Sequence, residues 1–232
     1  MKLSVVIPCF NESGNINKLV EEFESLSLEF DLELILVDNG SSDSTKSKIL
    51  SIRKEFVKKV YVEKNLGYGY GVKQGLKVAT GEYIGWTHAD LQTDPKDLLT
   101  AYKLLKENNF PTKVLVKGER KERPLSETVF TGGMSLFESI LFKMRIYDIF
   151  AQPNVFHKSF YPDLSLAPDG YGLELFCLVR CEALGIDIIR FPVFFNERYQ
   201  EKPTWNTGLI SKIKFSWVII KESFEIKSQM IK

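Results

Sequence analysis

The chain has 232 residues, enough for one large domain or one domain with an appendage. Its 31 Lys and Arg against 30 Asp and Glu leave a formal net charge of +1, which argues against a broad polyanion-binding surface and predicts no nucleic-acid partner. With 44% hydrophobic and 26% charged residues the chain is too apolar and too evenly charged to stay disordered, and no apolar run reaches the ~18–20 residues of a membrane-spanning helix.

The N-terminus, Met1-Lys2-Leu3-Ser4-Val5-Val6-Ile7-Pro8, is β-rich, lacks the small-residue cleavage site of a signal peptide and predicts a first strand over 3–9. Ile16, Leu19, Val20 and Phe23 then recur at helical spacing, with Ser13 as the expected N-cap. Further strands are predicted near 32–38, 57–62, 82–87 and 112–117. Between them Ser41-Ser42-Asp43-Ser44 opens a second helix, Tyr68 to Ala79 forms a third, and Asp94-Pro95 starts a fourth with proline in its first turn. This alternation predicts an α/β fold with a mainly parallel sheet flanked by helices.

After residue 118 the pattern changes. A charged stretch, Lys117 to Arg123, precedes a helix from Ser126 to Lys143, an irregular aromatic segment from Tyr147 to Tyr161, a helix from Tyr171 to Leu184 and the apolar run Ile186 to Phe195. The stretch Leu209 to Ile231 places Leu209, Ile213, Trp217, Ile220, Phe224 and Ile231 on one face of a C-terminal amphipathic helix, with Lys212, Lys214, Lys221 and Lys227 among or beside them. Such a helix fits a membrane interface, and packing on the core would give the same periodicity. Cys9, Cys177 and Cys181 have no zinc spacing and form an odd set, which suits a reducing, cytoplasmic compartment.

Four loops carry chemistry. Pro8-Cys9-Phe10-Asn11-Glu12 closes the first strand and Val37-Asp38-Asn39-Gly40-Ser41-Ser42-Asp43 the second, and the carboxyl ends of parallel strands are where open α/β sheets place ligands. Glu12 and Asp38 could accept hydrogen bonds from a nucleobase or ribose there; Asp38 could equally be a turn former. The fourth strand delivers His88, Asp90 and Gln92 at alternate positions, a donor set for a divalent cation shared with a diphosphate, or simply a polar turn before a helix. Asn65-Leu66-Gly67-Tyr68-Gly69-Tyr70-Gly71 is glycine-rich and leads into a helix, so its amides could approach a ligand, although it lacks the Lys-Ser/Thr of a P-loop.

Taken in order, Ser4-Val5-Val6-Ile7-Pro8-x-x-Asn11-Glu12, Val37 to Asp43, Asn65-x-Gly67-Tyr68-Gly69 and Ala89-Asp90-Leu91-Gln92-x-Asp94-Pro95 resemble family 2 glycosyltransferases of the GT-A fold, in the branch of dolichyl- or polyprenyl-phosphate mannose and glucose synthases. Asp148 to Phe156 and Phe191-Pro192-Val193-x-x-x-Glu197-Arg198 are more loosely similar to that branch's acceptor half. The resemblance implies a GT-A domain over 1–208, with a nucleotide-sugar half at 1–118 and an acceptor half at 119–208, followed by the amphipathic helix at 209–232. It implies an inverting transfer of a hexose from a GDP- or UDP-sugar to a polyprenyl phosphate, at the cytoplasmic membrane face if the enzyme is peripheral.

Carried residue by residue, the resemblance implies donor contacts from Pro8, Asn11, Glu12, Asp38, Asn65, Gly67, Gly71, Ala89 and Asp90. Asp90, Gln92 and His88 are the implied ligands of Mn²⁺ or Mg²⁺, with His88 standing where the family's first Asp is expected. Arg120, Arg123 and Arg198 are implied to hold the acceptor phosphate, since Arg suits bidentate phosphate binding. Asp90 and Arg198 are therefore expected to be catalytic. A hydroxyl acceptor would also need a base, for which Asp169 or Glu174 is placed, whereas a lipid phosphate is already anionic. A non-catalytic sugar-nucleotide-binding module stays open on the same residues, as do a homodimer and a membrane-protein partner.

Overall fold

The structure is a computed structural model that describes residues 1–122, 125–195 and 209–230. Seven strands, β1 (Leu3–Cys9), β2 (Leu32–Asn39), β3 (Val57–Val62), β4 (Tyr83–Trp86), β5 (Val114–Lys121), β6 (Asn154–His157) and β7 (Asp187–Phe194), form one sheet in the order β3-β2-β1-β4-β6-β5-β7. The first four run parallel, as the sequence predicts. β6 lies antiparallel to both β4 and β5, and β7 returns parallel to β5. The aromatic segment read as irregular thus contains β6, a strand of four residues, too short for a two-residue alternation to register.

Residue alternation decides which face each strand side chain enters. Leu3, Val5, Ile7 and Cys9 of β1 and Leu32, Leu34 and Leu36 of β2 enter one layer, which they share with α1 (Ile16–Ser27), α2 (Thr45–Ser51) and α4 (Lys96–Glu107). Val6 of β1 and Ile35 and Val37 of β2 enter the other, which they share with α3 (Tyr68–Val78), the single turn α6 (Tyr161–Leu164) and α7 (Gly172–Leu184). Each such fully buried aliphatic side chain stabilises the fold by roughly 1.5–3 kcal/mol. Ser4 and Glu33 on the second face pair with each other: Ser4 donates to Glu33 at 2.5 Å, and Glu33 also accepts from the Thr80 amide and hydroxyl. β3 at the sheet edge carries Lys58 and Lys59, which discourage pairing with another chain.

Two helical expectations need correction. Ser13 does not cap α1: the N-cap is Asn15, whose amide donates to Glu12 Oε2 at 2.5 Å, while the Ser13 N–H is used by Asp43. α8 (Leu209–Met230) packs against α5 (Leu125–Phe142) and α7 through Ile219 and Ile226, so its buried face is not the predicted stripe. Of that stripe Trp217 and Phe224 are 68% and 55% exposed and Ile220 is half-buried; the side chains of Leu209, Ile213 and Ile231 lie outside the described set. Phe215, Trp217, Val218, Ile219 and Ile220 spread apolar side chains over more than one face of the helix, so periodicity could not fix which side faces inward.

Glu138 of α5 ties the two helices together. It is buried and accepts from Ser223 Oγ of α8 at 2.7 Å, while its Oε2 has no hydrogen-bond partner among the described residues. Burial pushes its carboxyl up to about 7, only partly offset by Ser223. The folded state therefore binds more protons than the unfolded chain between the ordinary carboxyl range and neutrality, so this contribution is full in acid and lost as pH rises through about 7. From pH 5 to pH 8 this contribution should lower the melting temperature by about 5 °C, and Glu138→Gln should remove it, leaving a similar share from Asp97, whose carboxyl burial also pushes up to about 7. A slope unchanged in the Gln variant would place the titration on another group.

Candidate active site

Three acids stand at the carboxyl ends of three adjacent strands: Asp38 in β2, Glu12 just beyond β1 and Asp90 just beyond β4. With strands about 4.8 Å apart, the rim from β2 to β4 spans about 10 Å. Cys9 and Asp38 are register partners. Burial raises the Cys9 thiol well above its ordinary range and the charges of Glu12 and Asp38 raise it further, so both carboxylates act on one point of the rim. Asp38 is 2% and Asp90 8% exposed, and Glu12 is half-buried.

The loops beneath these acids are laced together by short polar side chains. Asn11, in the left-handed region at φ 57°, accepts from the Ser42 N–H at 2.8 Å, and its own N–H donates to Ser41 Oγ at 3.1 Å. The Glu12 N–H donates to Thr45 Oγ1 at 2.8 Å, and Asp38 Oδ1 accepts from the Ser41 N–H at 3.2 Å. Asp38 is therefore a turn former as well as a rim acid. On the other side Gly40, at φ 75°, lies so close to Asn65 that a Cβ would sit 2.5 Å from its nitrogen. Asn65 closes its own turn by accepting from the Gly67 N–H, and Asn39 Nδ2 donates to the Gly67 carbonyl at 3.0 Å. Gly71 is buried in α3, where a Cβ would meet the Asn39 side chain at 2.8 Å, so the helix start packs closely on the end of β2.

The β4 loop completes the rim. The Thr87 N–H donates to the Val6 carbonyl at 3.1 Å, which holds the chain beside β1. Ala89 and Asp90 follow, buried, and Leu91 turns the chain at φ 57° as Asp90 Oδ1 accepts from the Gln92 N–H at 3.2 Å. His88 is half-buried and meets the Tyr68 ring edge-on, with centroids 5.7 Å apart. Among the described residues no group of three or more His, Cys, Asp or Glu could hold a metal by itself. At the β4 end of the rim the buried Asp90 carboxylate fits a hard cation that takes its remaining ligands from substrate phosphates and water, not one caged by protein.

Behind the rim lies a buried polar network that the sequence did not disclose. Glu174 of α7, 1% exposed, accepts from Trp86 Nε1 at 2.7 Å, Gln152 Nε2 at 2.7 Å, Tyr68 Oη at 3.0 Å and Asn154 Nδ2 at 3.2 Å. Lys117, fully buried, lies 3.5 Å from its other oxygen and donates to Ala151 O and Asn154 Oδ1. Burial lowers the Lys117 ammonium from its ordinary range and Glu174 opposes that shift. Glu174 is therefore an acceptor enclosed by donors, and the expectation that it could serve as a base is corrected. Asp169 is exposed and pairs with Lys73 at 2.9 Å. Arg120 pairs with Asp148, donating from its Nε and N–H at 2.6 Å, and stacks over Phe195. Arg123 and Arg198 lie outside the described residues.

A parallel sheet with acids at the carboxyl ends of β1, β2 and β4, joined through an antiparallel strand to a second helical half, defines an α/β protein of the GT-A architecture. The model of the family "Glycosyl transferase family 2" matches residues 4–160, and the chain belongs to that family. An uncharacterized protein of Methanocaldococcus jannaschii is 28% identical over 98% of this chain and 96% of its own length. Dodecaprenyl-phosphate galacturonate synthase of Rhizobium johnstonii is 32% identical over 53% of this chain, and undecaprenyl-phosphate 4-deoxy-4-formamido-L-arabinose transferase of Proteus mirabilis 33% identical over 42%. These matches span 37% and 31% of those two enzymes. Among solved structures, glucosyl-3-phosphoglycerate synthase of Mycobacterium tuberculosis in complex with Mn²⁺, UDP and glucosyl-3-phosphoglycerate superposes with a TM-score of 0.73 at 18% identity, over 98% of this chain and 80% of that one. The chain is a glycosyltransferase.

Proposed function

We propose that the protein transfers a hexose from a nucleoside diphosphate sugar to a polyprenyl phosphate with inversion at the anomeric carbon. The observation that carries the donor half is the rim itself: Glu12, Asp38 and Asp90 on adjacent strand ends. In this reading Pro8, Asn11, Glu12 and Asp38 receive the nucleoside, Asn65, Gly67 and Ala89 border it, and Asp90 faces the diphosphate. Asp90, with Gln92 and His88 beside it, would hold a divalent cation, which when bound neutralises charge developing on the leaving diphosphate. The named polyprenyl-phosphate relatives support the acceptor.

An oxygen of the acceptor phosphate attacks the anomeric carbon as its bond to the diphosphate breaks, and because that oxygen is already anionic no side chain has to take a proton. Asp169 would be needed as a base only for a hydroxyl acceptor. Arg120 borders a small apolar cavity lined by Met134, Ile149, Phe150, Phe215 and Ile219, a combination suited to a phosphate joined to a hydrocarbon. Arg123 and Arg198 are proposed to act with it. Calorimetric titration with UDP- and GDP-hexoses in Mn²⁺, followed by turnover with undecaprenyl phosphate, tests the reading. No binding by any sugar nucleotide would remove it, and binding with transfer only to a sugar hydroxyl would replace its acceptor.

The same reading places α8 at a membrane surface. Trp217, Val218 and Phe224 are exposed on α8, Leu136 and Ile140 on neighbouring α5, and Lys214 and Lys221 stand exposed beside them. Among the described residues no helix is long and apolar enough to cross a membrane. Replacing both Trp217 and Phe224 with serine should weaken binding to anionic vesicles at least about tenfold, given the transfer energy of two large side chains. Equal binding by parent and variant would refute the membrane face.

A further inference from the structure

We propose that Glu222 of α8 is a positioning residue for the donor site, acting through the loop 167–172; this rests on the donor-site reading above. The Glu222 carboxylate accepts from the Gly172 N–H at 2.6 Å, at the first turn of α7. It also fills space left by two glycines. A Cβ on Gly170 would stand 1.8 Å from Glu222 Oε1, and one on Gly172 3.0 Å from Oε2.

The far side of this loop is bonded to the start of α3. Asp169 O accepts from the Tyr70 N–H at 2.9 Å and Gly170 O from the Gly69 N–H at 3.1 Å. Lys73 clamps the same loop, donating to Ala167 O at 2.5 Å and pairing with Asp169. Contact is close enough that a Cβ on Gly67 would meet Asp169 O at 2.3 Å. Gly67, held in turn by Asn39 and Asn65, borders the donor rim. Tyr68 next to it stacks on Tyr171 of the loop, with centroids 5.5 Å apart. A continuous set of short contacts therefore runs from α8, through the loop, to the turn beside the nucleotide site. Displacing the Glu222 carboxylate frees one side of a loop whose other side sets the position of Gly67 and Tyr68.

A carboxylate at the first turn of a helix is favourable in its own right. If Glu222 were purely structural, its loss would lower thermal stability and nothing else. The deciding measurement is the dissociation constant of UDP and GDP in Mn²⁺, read on the full chain at a temperature well below the melting point of each variant. Glu222→Ala and Gly170→Ala, which puts a methyl where the carboxylate sits, should each weaken binding about tenfold. Glu222→Gln should restore it, because its amide oxygen still accepts from Gly172. The two alanine changes should not add, since Gly170→Ala has nothing to displace once Glu222 is gone.

Unchanged affinity in both single variants, with only a lower melting temperature, would overturn the proposal. Should Glu222→Ala fail to fold, Gly170→Ala and Glu222→Gln decide the same question. Failure of the parent chain to bind either nucleotide is a different outcome, and would overturn the donor-site reading together with this inference.

Discussion

Replacing Asp90 with alanine is expected to reduce sugar transfer by about 10³-fold or more, with the fold intact. Preorganised charge at the position where a leaving group becomes anionic is worth about 10²–10³ per interaction in comparable sites, and Asp90 is the proposed anchor of the cation that supplies it. The carboxylate also accepts from the Gln92 N–H at 3.2 Å, a bond whose loss costs only about 1 kcal/mol. For a chain of this size that lowers the melting temperature by about 2–4 °C, so the loss of activity cannot be charged to unfolding. Asp90→Asn separates the two roles. The amide oxygen keeps the turn closed and the negative charge is gone, so turnover should fall as far as in the alanine variant while the melting temperature stays at the parent value. Asparagine-variant turnover near the parent rate would show that charge at this position does not assist departure of the diphosphate.

Much of this rim was legible in the sequence because its parts are local. Leu3 to Cys9 and Leu32 to Asn39 are short β-branched and leucine-rich runs ending in turn chemistry, and the structure pairs them in parallel with Cys9 opposite Asp38. Once consecutive strands are known to be parallel, the acids following them must share one edge of the sheet. What the sequence withheld depends on contacts distant along the chain. β6 is four residues flanked on both sides by partners, so pairing rather than propensity makes it a strand. Glu174 stands alone in Leu173 to Val179, an otherwise apolar stretch, and Lys117 stands at the end of the apolar run Val114 to Val116. Two solitary opposite charges in buried elements were the available sign that they pair, but nothing in a single chain says which acid meets which base. The orientation of α8 was hidden for the opposite reason, an excess of apolar residues giving more than one face that could be buried.

Glu174→Ala is expected to be the most damaging single substitution in stability, costing about 3–5 kcal/mol, because it removes one partner of a buried charged network and leaves the others without an acceptor. Trp86, Gln152, Tyr68 and Asn154 all donate to its two oxygens, and Lys117 would keep an ammonium in a fully buried position with only Ala151 O and Asn154 Oδ1 for company. Against the roughly 5–15 kcal/mol that a typical fold possesses, such a loss brings the protein close to unfolding. Lys117→Met should cost less, about 1–3 kcal/mol: the carboxylate it leaves behind still accepts from four donors, and a thioether chain fills most of the volume of the lysine stem. Urea midpoints with unchanged slopes would read these differences directly. The order of the two variants is the informative result, since a larger loss in Lys117→Met would make the ammonium, not the carboxylate, the centre of the network. Tyr68 reports the functional consequence. Its hydroxyl is held by Glu174 and its ring stands edge-on to His88, so a Glu174 variant that remains folded should also bind the sugar nucleotide more weakly.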